Sequence, residues 1–236
     1  MNKPFFSIAI PTYEFNGKGV EYLNNSLKIL SIQTFTDFEV IISDHSNDNL
    51  IEQLVSEWSS VLNIKHFYFT EGKHKTHSLN VNNSINHCQG KWVKILFQDD
   101  FLFDSKSLEK QFNFIKNTLD LKWFFTKFYH TFDGINLYNL YHPRWNNDIY
   151  KGNNTLGGPS GLTVKNEDIP LFDGRLIWLM DCDFYKKLFI KYGEPKICDE
   201  ITVVNRTSQD QLTSTISESI KINEHKLIKE IYDTTT

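Results

Sequence analysis

The sequence has 236 residues, of which 40% are hydrophobic and 14% aromatic, enough apolar material to bury a sizeable core. Its 25 Lys and Arg and 29 Asp and Glu residues give a formal net charge of -4 without a long basic run, which argues against a nucleic-acid partner. Cys88, Cys182 and Cys198 show no paired metal-binding spacing and are odd in number, so we expect three buried or partly buried free thiols and a cytoplasmic location.

Features that direct a chain to or through a membrane are not evident in this sequence. The first residues lead directly into an apolar run at 5–10, without the charged region and cleavage site of a signal peptide. No apolar stretch approaches the roughly 20 residues that a membrane helix needs. We therefore expect that any contact with the inner face of a membrane is peripheral.

Short apolar runs alternate with segments of helical periodicity over residues 1–100. Strands are predicted at 5–10, 38–42, 64–69 and 92–97, and helices over 20–30, 51–58 and 79–87. Strands that alternate with helices imply right-handed crossovers between parallel strands. We therefore expect an α/β fold with a mostly parallel central sheet flanked by helices.

The second half of the sequence is less regular. Helices are predicted over 108–115 and 182–192, strands at 122–129 and 162–164, and a further helix within 208–232. The segment 132–158 is rich in Asn, Tyr, Trp and Gly and has no clean period. It could bind sugar rings through its aromatic and amide side chains, or it could be an ordinary surface excursion.

Polar residues follow three of the predicted strands, at the point where each strand ends. The carboxyl ends of parallel strands share one edge of a sheet, where the ligands of open α/β folds bind. Carboxylates at this edge could accept hydrogen bonds from a nucleotide, or hold a divalent cation against a diphosphate. The three groups are Pro11-Thr12-Tyr13, Asp44-His45-Ser46 and Gln98-Asp99-Asp100.

Each of these groups also has a structural interpretation. Asp44 could cap the helix that follows it, and Tyr13 could be a core aromatic residue. A loop cap is the alternative for Asp99 and Asp100. That alternative is weaker, because adjacent carboxylates at the end of a buried strand repel each other unless a cation or donor compensates.

Basic residues precede the third predicted helix. They are Lys73, His74, Lys75 and His77. These side chains could approach the phosphates of a nucleotide, or they could belong to a solvated loop. The second interpretation needs no ligand, and we favour it.

Five motifs in this order resemble those of the family 2 glycosyltransferases, which have the GT-A fold. In the first half they lie at 10–13, 40–46 and 90–100. Downstream, residues 158–160 are similar to the acceptor-side segment of that family, and residues 172–183 are similar to its catalytic-base segment. The similarity spans about residues 5–207.

The resemblance implies an enzyme that moves a sugar from a nucleotide-diphosphate sugar to an acceptor hydroxyl, with inversion at the anomeric carbon. It implies Asp181 as the general base, Asp99 as the ligand of Mn²⁺ or Mg²⁺, and Asp44 as the residue that reads the nucleotide base. Pro11, Thr12, Tyr13, Ser46, Asn82 and Gln98 would complete the nucleotide site with Asp44 and Asp99, and Asp100, Ser160 and Trp178 would contact the donor sugar or the acceptor.

Structural alternatives remain for the residues of the catalytic-base segment. Acidic residues at a helix start interact favourably with the helix dipole, and we assign that role to Asp183. Trp178 could form the acceptor wall, but its apolar surroundings favour a place in the core.

The resemblance also implies a domain organisation and partners. Residues 1–207 would form the GT-A domain, with a nucleotide-binding half at 1–100 and an acceptor-side half at 101–207. Residues 208–236 would be a helical extension packed on the same domain. The expected acceptor is a glycan or a lipid-linked precursor in polysaccharide biosynthesis.

The sequence departs from the family pattern at three places. Phe97 stands where the first carboxylate of the family's Asp-X-Asp motif is expected, Val81 replaces an Arg, and 206–208 lacks the His of an Arg-X-His stretch. A sugar-binding protein of the same fold without turnover is therefore an alternative. A nucleotidyltransferase and a dinucleotide-dependent oxidoreductase are disfavoured, because no Gly-rich phosphate loop follows the first strand.

Overall fold

The computed structural model of the chain describes residues 3–70, 77–207 and 216–233, and within these ranges it contains nine strands and six α-helices. The strands are β1 (Phe6–Thr12), β2 (Phe38–Asp44), β3 (Ile64–Tyr68), β4 (Trp92–Ile95), β5 (Phe101–Leu102), β6 (Trp123–Thr131), β7 (Leu137–Tyr141), β8 (Leu162–Lys165) and β9 (Lys196–Arg206). The helices are α1 (Gly19–Ser31), α2 (Leu50–Trp58), α3 (His77–Asn86), α4 (Ser107–Asn117), α5 (Met180–Tyr192) and α6 (Glu218–Tyr232).

The strands form one sheet in the order β3-β2-β1-β4-β8-β6-β9-β5, and β7 pairs with β6. The first four strands are parallel, with Ile8 of β1 opposite Val40 of β2 and Lys94 of β4. β8 is antiparallel to both β4 and β6, so β6 and its parallel partner β9 run in the same direction as the first four strands. The predicted α/β fold with a mostly parallel sheet is confirmed.

Both faces of the sheet are covered, which explains the continuous apolar runs of the first strands. Every residue of β1 and β2 is buried, as is typical of parallel strands between two layers of helices. One core lies under α1, α2 and α4, where Leu23 and Leu27 pack against Ile8. The other lies under α3, α5 and α6, where Val81 and Phe184 belong to the same cluster as Ile228.

Three strands were not predicted from the sequence. The longest is β9, which begins with charged and partly exposed residues and pairs with β6 through two register shifts. β7 falls in the segment 132–158 and is half exposed, and β5 has only two residues. All three depend on pairing with distant strands, and none has the buried apolar run or the clean alternation that marks a strand locally.

The described part of the predicted C-terminal extension is α6, which packs on the body of the protein. Ile228 is fully buried in the second core, and Leu227 packs against it. No helix in the ranges that the structure describes is long and apolar enough to cross a membrane. Cys182 and Cys198 are buried and Cys88 is half-buried, and the thiols are free as predicted.

Candidate active site

A cavity of about 390 Å³ opens at the carboxyl ends of β1 and β4. It lies between the loops after these strands, the start of α5 and the end of β9. This is the edge of the sheet at which open α/β folds bind ligands. Seven of the predicted site residues line it: Pro11, Tyr13, Gln98, Asp99, Asp100, Trp178 and Asp181.

The two acidic residues after β4 have different roles: Asp100 is held by hydrogen bonds within the protein, and Asp99 is available to a ligand. Asp100 is buried, and its two oxygens accept hydrogen bonds from Asn205 Nδ2 at 3.0 Å and from the backbone amide of Arg206 at 2.8 Å. Burial and the adjacent charge of Asp99 hold the pKa of Asp100 well above its ordinary value. Burial also raises the pKa of Asp99 to about 6, against the attraction of Arg206. Asp99 is therefore the member of the pair that remains available to a ligand.

Arg206 brings a positive charge to the same cavity. Its guanidinium carbon lies 4.5 Å from the ring centroid of Tyr22, and its Nε donates a hydrogen bond of 3.3 Å to the carbonyl of Asp99. The side chain is only 8% exposed. A buried guanidinium beside the acidic loop is suited to binding phosphate oxygens, because its donors are planar and permanently charged.

The residues of the cavity fit a metal ion only in part. Within the described ranges, no group of three or more His, Cys, Asp and Glu residues is arranged to hold a metal. Phe97 lines the cavity where a second carboxylate was expected from the family pattern. Mg²⁺ is often bound by one carboxylate together with substrate phosphates, so Asp99 fits a cation that binds with a diphosphate. The protein does not present an independent metal cage in its described part.

Asp181 lines the same cavity as the acidic loop. It lies in the first turn of α5. Its Oδ1 atom is buried, and no described residue forms a hydrogen bond with it. Burial raises the pKa of this carboxyl to about 7, so it changes its protonation state near neutral pH. An unpaired carboxylate with such a pKa in a cavity is suited to general-base chemistry.

Tyr13 and Gln98 form the wall of the cavity next to β1. Gln98 Oε1 accepts a hydrogen bond of 3.0 Å from the backbone amide of Tyr13, and its Nε2 donates one of 2.7 Å to the carbonyl of Gly19. Both polar ends of the Gln98 amide therefore hold the main chain. Burial, with the nearby charges of Asp99 and Glu14, raises the pKa of Tyr13 to about 12, which keeps its hydroxyl protonated.

Asp44 lies behind the cavity and does not line it. His66 Nε2 lies 2.9 Å from Asp44 Oδ2, and the backbone amide of Ser46 donates a hydrogen bond of 2.9 Å to Oδ1. Burial acts to raise the pKa of Asp44, but the hydrogen bonds of His66 and Ser46 outweigh it and hold the pKa below its ordinary value. The next residue, His45, does line the cavity.

His77 also lines the cavity, at the start of α3. Its ring packs edge-on against Phe97 at a centroid distance of 5.1 Å. Burial and the nearby His45 lower its pKa to about 4, so the ring is neutral at physiological pH. Lys73, His74 and Lys75 lie outside the described residues.

Four further predicted residues are buried outside the cavity lining. The Thr12 hydroxyl donates a hydrogen bond to the carbonyl of Ser43, and the Ser46 amide donates one to Asp44. Asn82 forms two hydrogen bonds, of 2.9 and 2.8 Å, with the main chain of Phe172 and so joins α3 to the segment before α5. Ser160 accepts a hydrogen bond of 2.9 Å from the amide of Phe97 and also bonds Asp100, which places it under the acidic loop.

A buried lysine lies next to Ser160 under the same loop. Lys94 of β4 is fully buried, and its Nζ donates to the carbonyls of Ser160 and Leu162. Burial lowers its pKa to about 7, against the attraction of the Asp100 charge. Its contacts tie β4 to the turn Pro159–Gly161 that forms one side of the cavity.

Asn205 and Arg206 were not predicted as site residues. They line the main cavity and also a smaller adjoining one of about 260 Å³, which is bordered by Phe128, His130 and Tyr141. Oδ1 of Asn205 is buried without a partner among the described residues. Two signals pointed to this region. Arg206 stands at the Arg of the family's Arg-X-His stretch, and the β-branched residues of 201–204 could have indicated a strand.

A profile of the family described as "Glycosyl transferase family 2" matches residues 7–170, more than half of the chain. The chain belongs to glycosyltransferase family 2. The profile match of this family 2 member includes the acidic pair at the end of β4. It ends before Asp181, Asn205 and Arg206, and of these three residues only Asp181 was expected in the site from the sequence.

A relative with a similar sequence agrees with the family assignment. The "Uncharacterized glycosyltransferase MJ1057" of Methanocaldococcus jannaschii is 28% identical over 145 residues, which cover 61% of this chain and 48% of that protein. The chain therefore spans about half the length of this relative.

Two solved structures show the same fold. Staphylococcus aureus TarS 1-349 in complex with UDP-GlcNAc superposes with a TM-score of 0.72 at 18% identity, over 96% of this chain and 66% of that one. The mannosyltransferase PcManGT of Pyrobaculum calidifontis, in complex with GDP-Man and Mn²⁺, gives a TM-score of 0.57 at 17% identity, over 87% of this chain and 57% of that one. The predicted GT-A fold is confirmed.

Proposed function

We propose that this family 2 member transfers a sugar from a nucleotide-diphosphate sugar to an acceptor hydroxyl, with inversion and with Asp181 as the general base. The observation that carries the proposal is the single cavity shared by Asp99 and Asp181. Asp99 belongs to the donor side of the sheet, and Asp181 approaches from the start of α5.

The chemistry of Asp181 follows from its surroundings. Its unpaired Oδ1 accepts the proton of an acceptor hydroxyl as that oxygen attacks the anomeric carbon. With a pKa raised to about 7, Asp181 is largely deprotonated just above neutral pH and is a stronger base than an ordinary Asp. Attack from the side opposite the leaving diphosphate inverts the anomeric centre.

The donor diphosphate would lie between the acidic loop and Arg206. The guanidinium attracts the phosphate oxygens, and Asp100 holds the loop in place through Asn205 and the amide of Arg206. A divalent cation held by Asp99, when bound, would supply further positive charge to the departing diphosphate. Pro11, Tyr13 and Gln98 would border the nucleotide, together with His45, whereas Asp44 lies behind the cavity wall.

The structural neighbours suggest which donors to test first. TarS was solved with UDP-GlcNAc and PcManGT with GDP-Man, so both nucleotide sugars are suitable probes for this chain. Trp178 borders the cavity beside Asp181 and offers an aromatic surface to an acceptor sugar. A glycan or lipid-linked acceptor, a role in polysaccharide biosynthesis and a cytoplasmic location remain predictions.

A protein that binds nucleotide sugars without turnover is the second candidate. The observation that favours it is Phe97, which places an apolar ring in the cavity where a second carboxylate would strengthen metal binding. Weak metal binding would leave the charge of the departing diphosphate less well balanced. This candidate retains donor binding and lacks catalysis.

Release of nucleoside diphosphate distinguishes the two candidates. The protein is incubated with UDP-GlcNAc or GDP-mannose and Mn²⁺, and UDP or GDP is measured over time, with a panel of sugar acceptors and without acceptor. We expect the wild-type protein to release UDP or GDP slowly, and the Asp181→Asn variant to release neither. Stabilisation of the protein by UDP or GDP, without release under any of these conditions, would support the binding protein instead.

A further inference from the structure

The residues just before α5 are held by a carboxylate from α6. Glu224 Oε1 accepts hydrogen bonds from the backbone amides of Ile177 at 2.8 Å and Trp178 at 3.2 Å. Its Oε2 accepts hydrogen bonds from the amides of Trp178 at 3.0 Å and Leu179 at 2.8 Å. Three consecutive amides next to Asp181 are therefore bound by one side chain that lies more than forty residues further along the chain.

These contacts hold the chain just before a helix that has no side-chain cap of its own. The residue at the N-cap position of α5 is Leu179, whose side chain cannot accept a hydrogen bond, and no side-chain cap is formed there. A buried backbone amide needs an acceptor, and a carboxylate near the N-terminus of a helix also interacts favourably with the helix dipole. Glu224 is only 4% exposed, so its charge is directed at these amides rather than at solvent.

A second contact fixes α6 on the far side of Asp181. The hydroxyl of Tyr232 donates a hydrogen bond of 2.6 Å to Oδ1 of Asp183, and Lys187 lies 2.7 Å from the other carboxylate oxygen of Asp183. α6 therefore contacts α5 both before and after Asp181. These contacts hold the first turn of α5 against α6 on both sides of Asp181.

The segment held by Glu224 forms one wall of the cavity. Ile177 and Trp178 line the cavity together with Asp181. The ring of Trp178 is also contacted from α6, by His225 at a centroid distance of 5.2 Å and by Lys221 at 5.6 Å. The position of this wall relative to the acidic loop is therefore set by α6, although α6 itself contributes no residue to the lining.

We propose that Glu224 is a positioning residue for catalysis, which holds the 177–179 amides and thereby places the Asp181 carboxylate toward the acceptor hydroxyl. The proposal rests on the function proposed above. It assigns to the C-terminal helix, which lies outside the region matched by the family profile, control over the turnover step rather than over donor binding. A displacement of about 1 Å in a catalytic group can lower the rate about a hundredfold. Loss of the Glu224 contacts is therefore sufficient to lower turnover.

Two variants of Glu224 and two control variants of α6 test this role. Glu224→Ala removes the hydrogen bonds to the 177–179 amides. Glu224→Gln removes the charge but keeps one oxygen that can accept hydrogen bonds from these amides. Asn223→Ala is the matched control, because its side chain is the neighbour in sequence and is exposed. Ile228→Ala is a second control, since it weakens the packing of α6 in the core without touching the amides of 177–179.

The kinetic measurement is the release of UDP or GDP from UDP-GlcNAc or GDP-mannose, analysed as kcat and KM. We expect Glu224→Ala to lower kcat about tenfold to a hundredfold with little change in KM, and Glu224→Gln to recover part of this loss. Asn223→Ala should keep the wild-type kcat and KM. Ile228→Ala should lower the melting temperature, but its loss of kcat should be smaller than that of Glu224→Ala. Equal kcat in Glu224→Ala and wild type, or equal losses of kcat in Glu224→Ala and Ile228→Ala, would overturn the proposal.

A measurement that needs no turnover separates this proposal from the proposed function. The protonation of the Asp181 carboxyl is followed by carbon NMR, together with hydrogen exchange at the 177–179 amides. In Glu224→Ala we expect faster exchange at these amides and an Asp181 titration that moves toward an ordinary aspartate, because the side chain leaves its buried position. If wild-type protein releases no diphosphate, the proposed function fails, and an unchanged Asp181 titration in Glu224→Ala then rejects the positioning role as well.

Discussion

Asn205 donates a hydrogen bond of 3.0 Å to the carboxylate of Asp100, and this contact joins the end of β9 to the acidic loop after β4. The loop therefore has a fixed position before any ligand binds. Asp100 carries out this structural task, and Asp99 is left facing the cavity. The division of roles explains why two adjacent carboxylates can be retained at a buried site.

Replacing Asn205 should loosen the acidic loop. We expect Asn205→Ala to lower the free energy of unfolding by about 1.5–3 kcal/mol, because a buried carboxylate loses a hydrogen bond. UDP and GDP should also stabilise this variant less than wild type, as measured by their effect on the melting temperature. The exposed residue Asn223 provides the control, Asn223→Ala. If Asn205→Ala keeps the wild-type free energy of unfolding and the wild-type shift in melting temperature with UDP or GDP, the contact with Asp100 does not stabilise the loop.

Removing the base should affect turnover and leave donor binding intact. We expect Asp181→Asn to lower kcat about a hundredfold to ten-thousandfold, which is the usual contribution of general-base catalysis. The increase in melting temperature caused by UDP or GDP should stay at the wild-type value, because Asn keeps the shape of the side chain. Full activity in this variant would exclude Asp181 as the base.

Wild-type activity should rise with pH across neutrality. The pKa of Asp181 is raised to about 7 by burial, and a general base works only when it is deprotonated. The rate should therefore increase from pH 6 to a plateau above about pH 8. The measurement is kcat for diphosphate release in buffers of constant ionic strength, and a rate that is flat from pH 5 to 8 would contradict the assignment.

The same carboxyl should make the protein less stable as the pH rises. Its pKa in the folded state lies above the ordinary value of 3.8, so its contribution to stability is fully present below that value and is lost as the pH rises toward about 7. Asp181→Asn should therefore raise the melting temperature relative to wild type at pH 8. The difference should shrink as the pH falls and should be lost below about pH 3, where the wild-type carboxyl is protonated in both states. A constant difference across this range would mean that Asp181 does not titrate as a buried group.

Metal binding should depend on the diphosphate and on Asp99. We expect Mn²⁺ alone to change the melting temperature little, and Mn²⁺ with UDP or GDP to raise it more than the nucleotide does, because phosphate oxygens complete the ligand set. EDTA and Asp99→Asn should each remove this extra stabilisation. Asp148→Asn is the control, since Asp148 forms a surface ion pair with Lys151. An Asp99→Asn protein that keeps the Mn²⁺ effect would place the metal elsewhere.

Phe97→Asp tests whether the departure from the family pattern weakens metal binding. The aromatic ring lines the cavity beside Asp99, so a carboxylate at this position would add a second oxygen ligand. We expect a lower Mn²⁺ concentration to be needed for stabilisation in the presence of UDP or GDP. Phe97→Leu keeps the position apolar and serves as the control, and the same Mn²⁺ dependence in both variants would contradict the expectation.

The sequence by itself determined the parallel half of the sheet and the edge at which the site lies. The runs around Ile8, Ile42 and Val93 are mostly apolar on both faces, and polar residues follow the carboxyl end of each strand. These signals are local, because a strand buried on both sides and a loop at its end are each encoded within about ten residues. The family motifs then supplied expected roles for Asp99 and Asp181.

Only the tertiary structure decided which side chains meet in the cavity. Asp44 is engaged by His66. Asn205 and Arg206 reach the acidic loop from a strand with weak sequence signals, and Glu224 of α6 holds the segment before α5. Each of these contacts joins residues far apart in the chain. Such contacts depend on which strands pair and which helices pack together, and neither propensity nor periodicity within one segment contains that information.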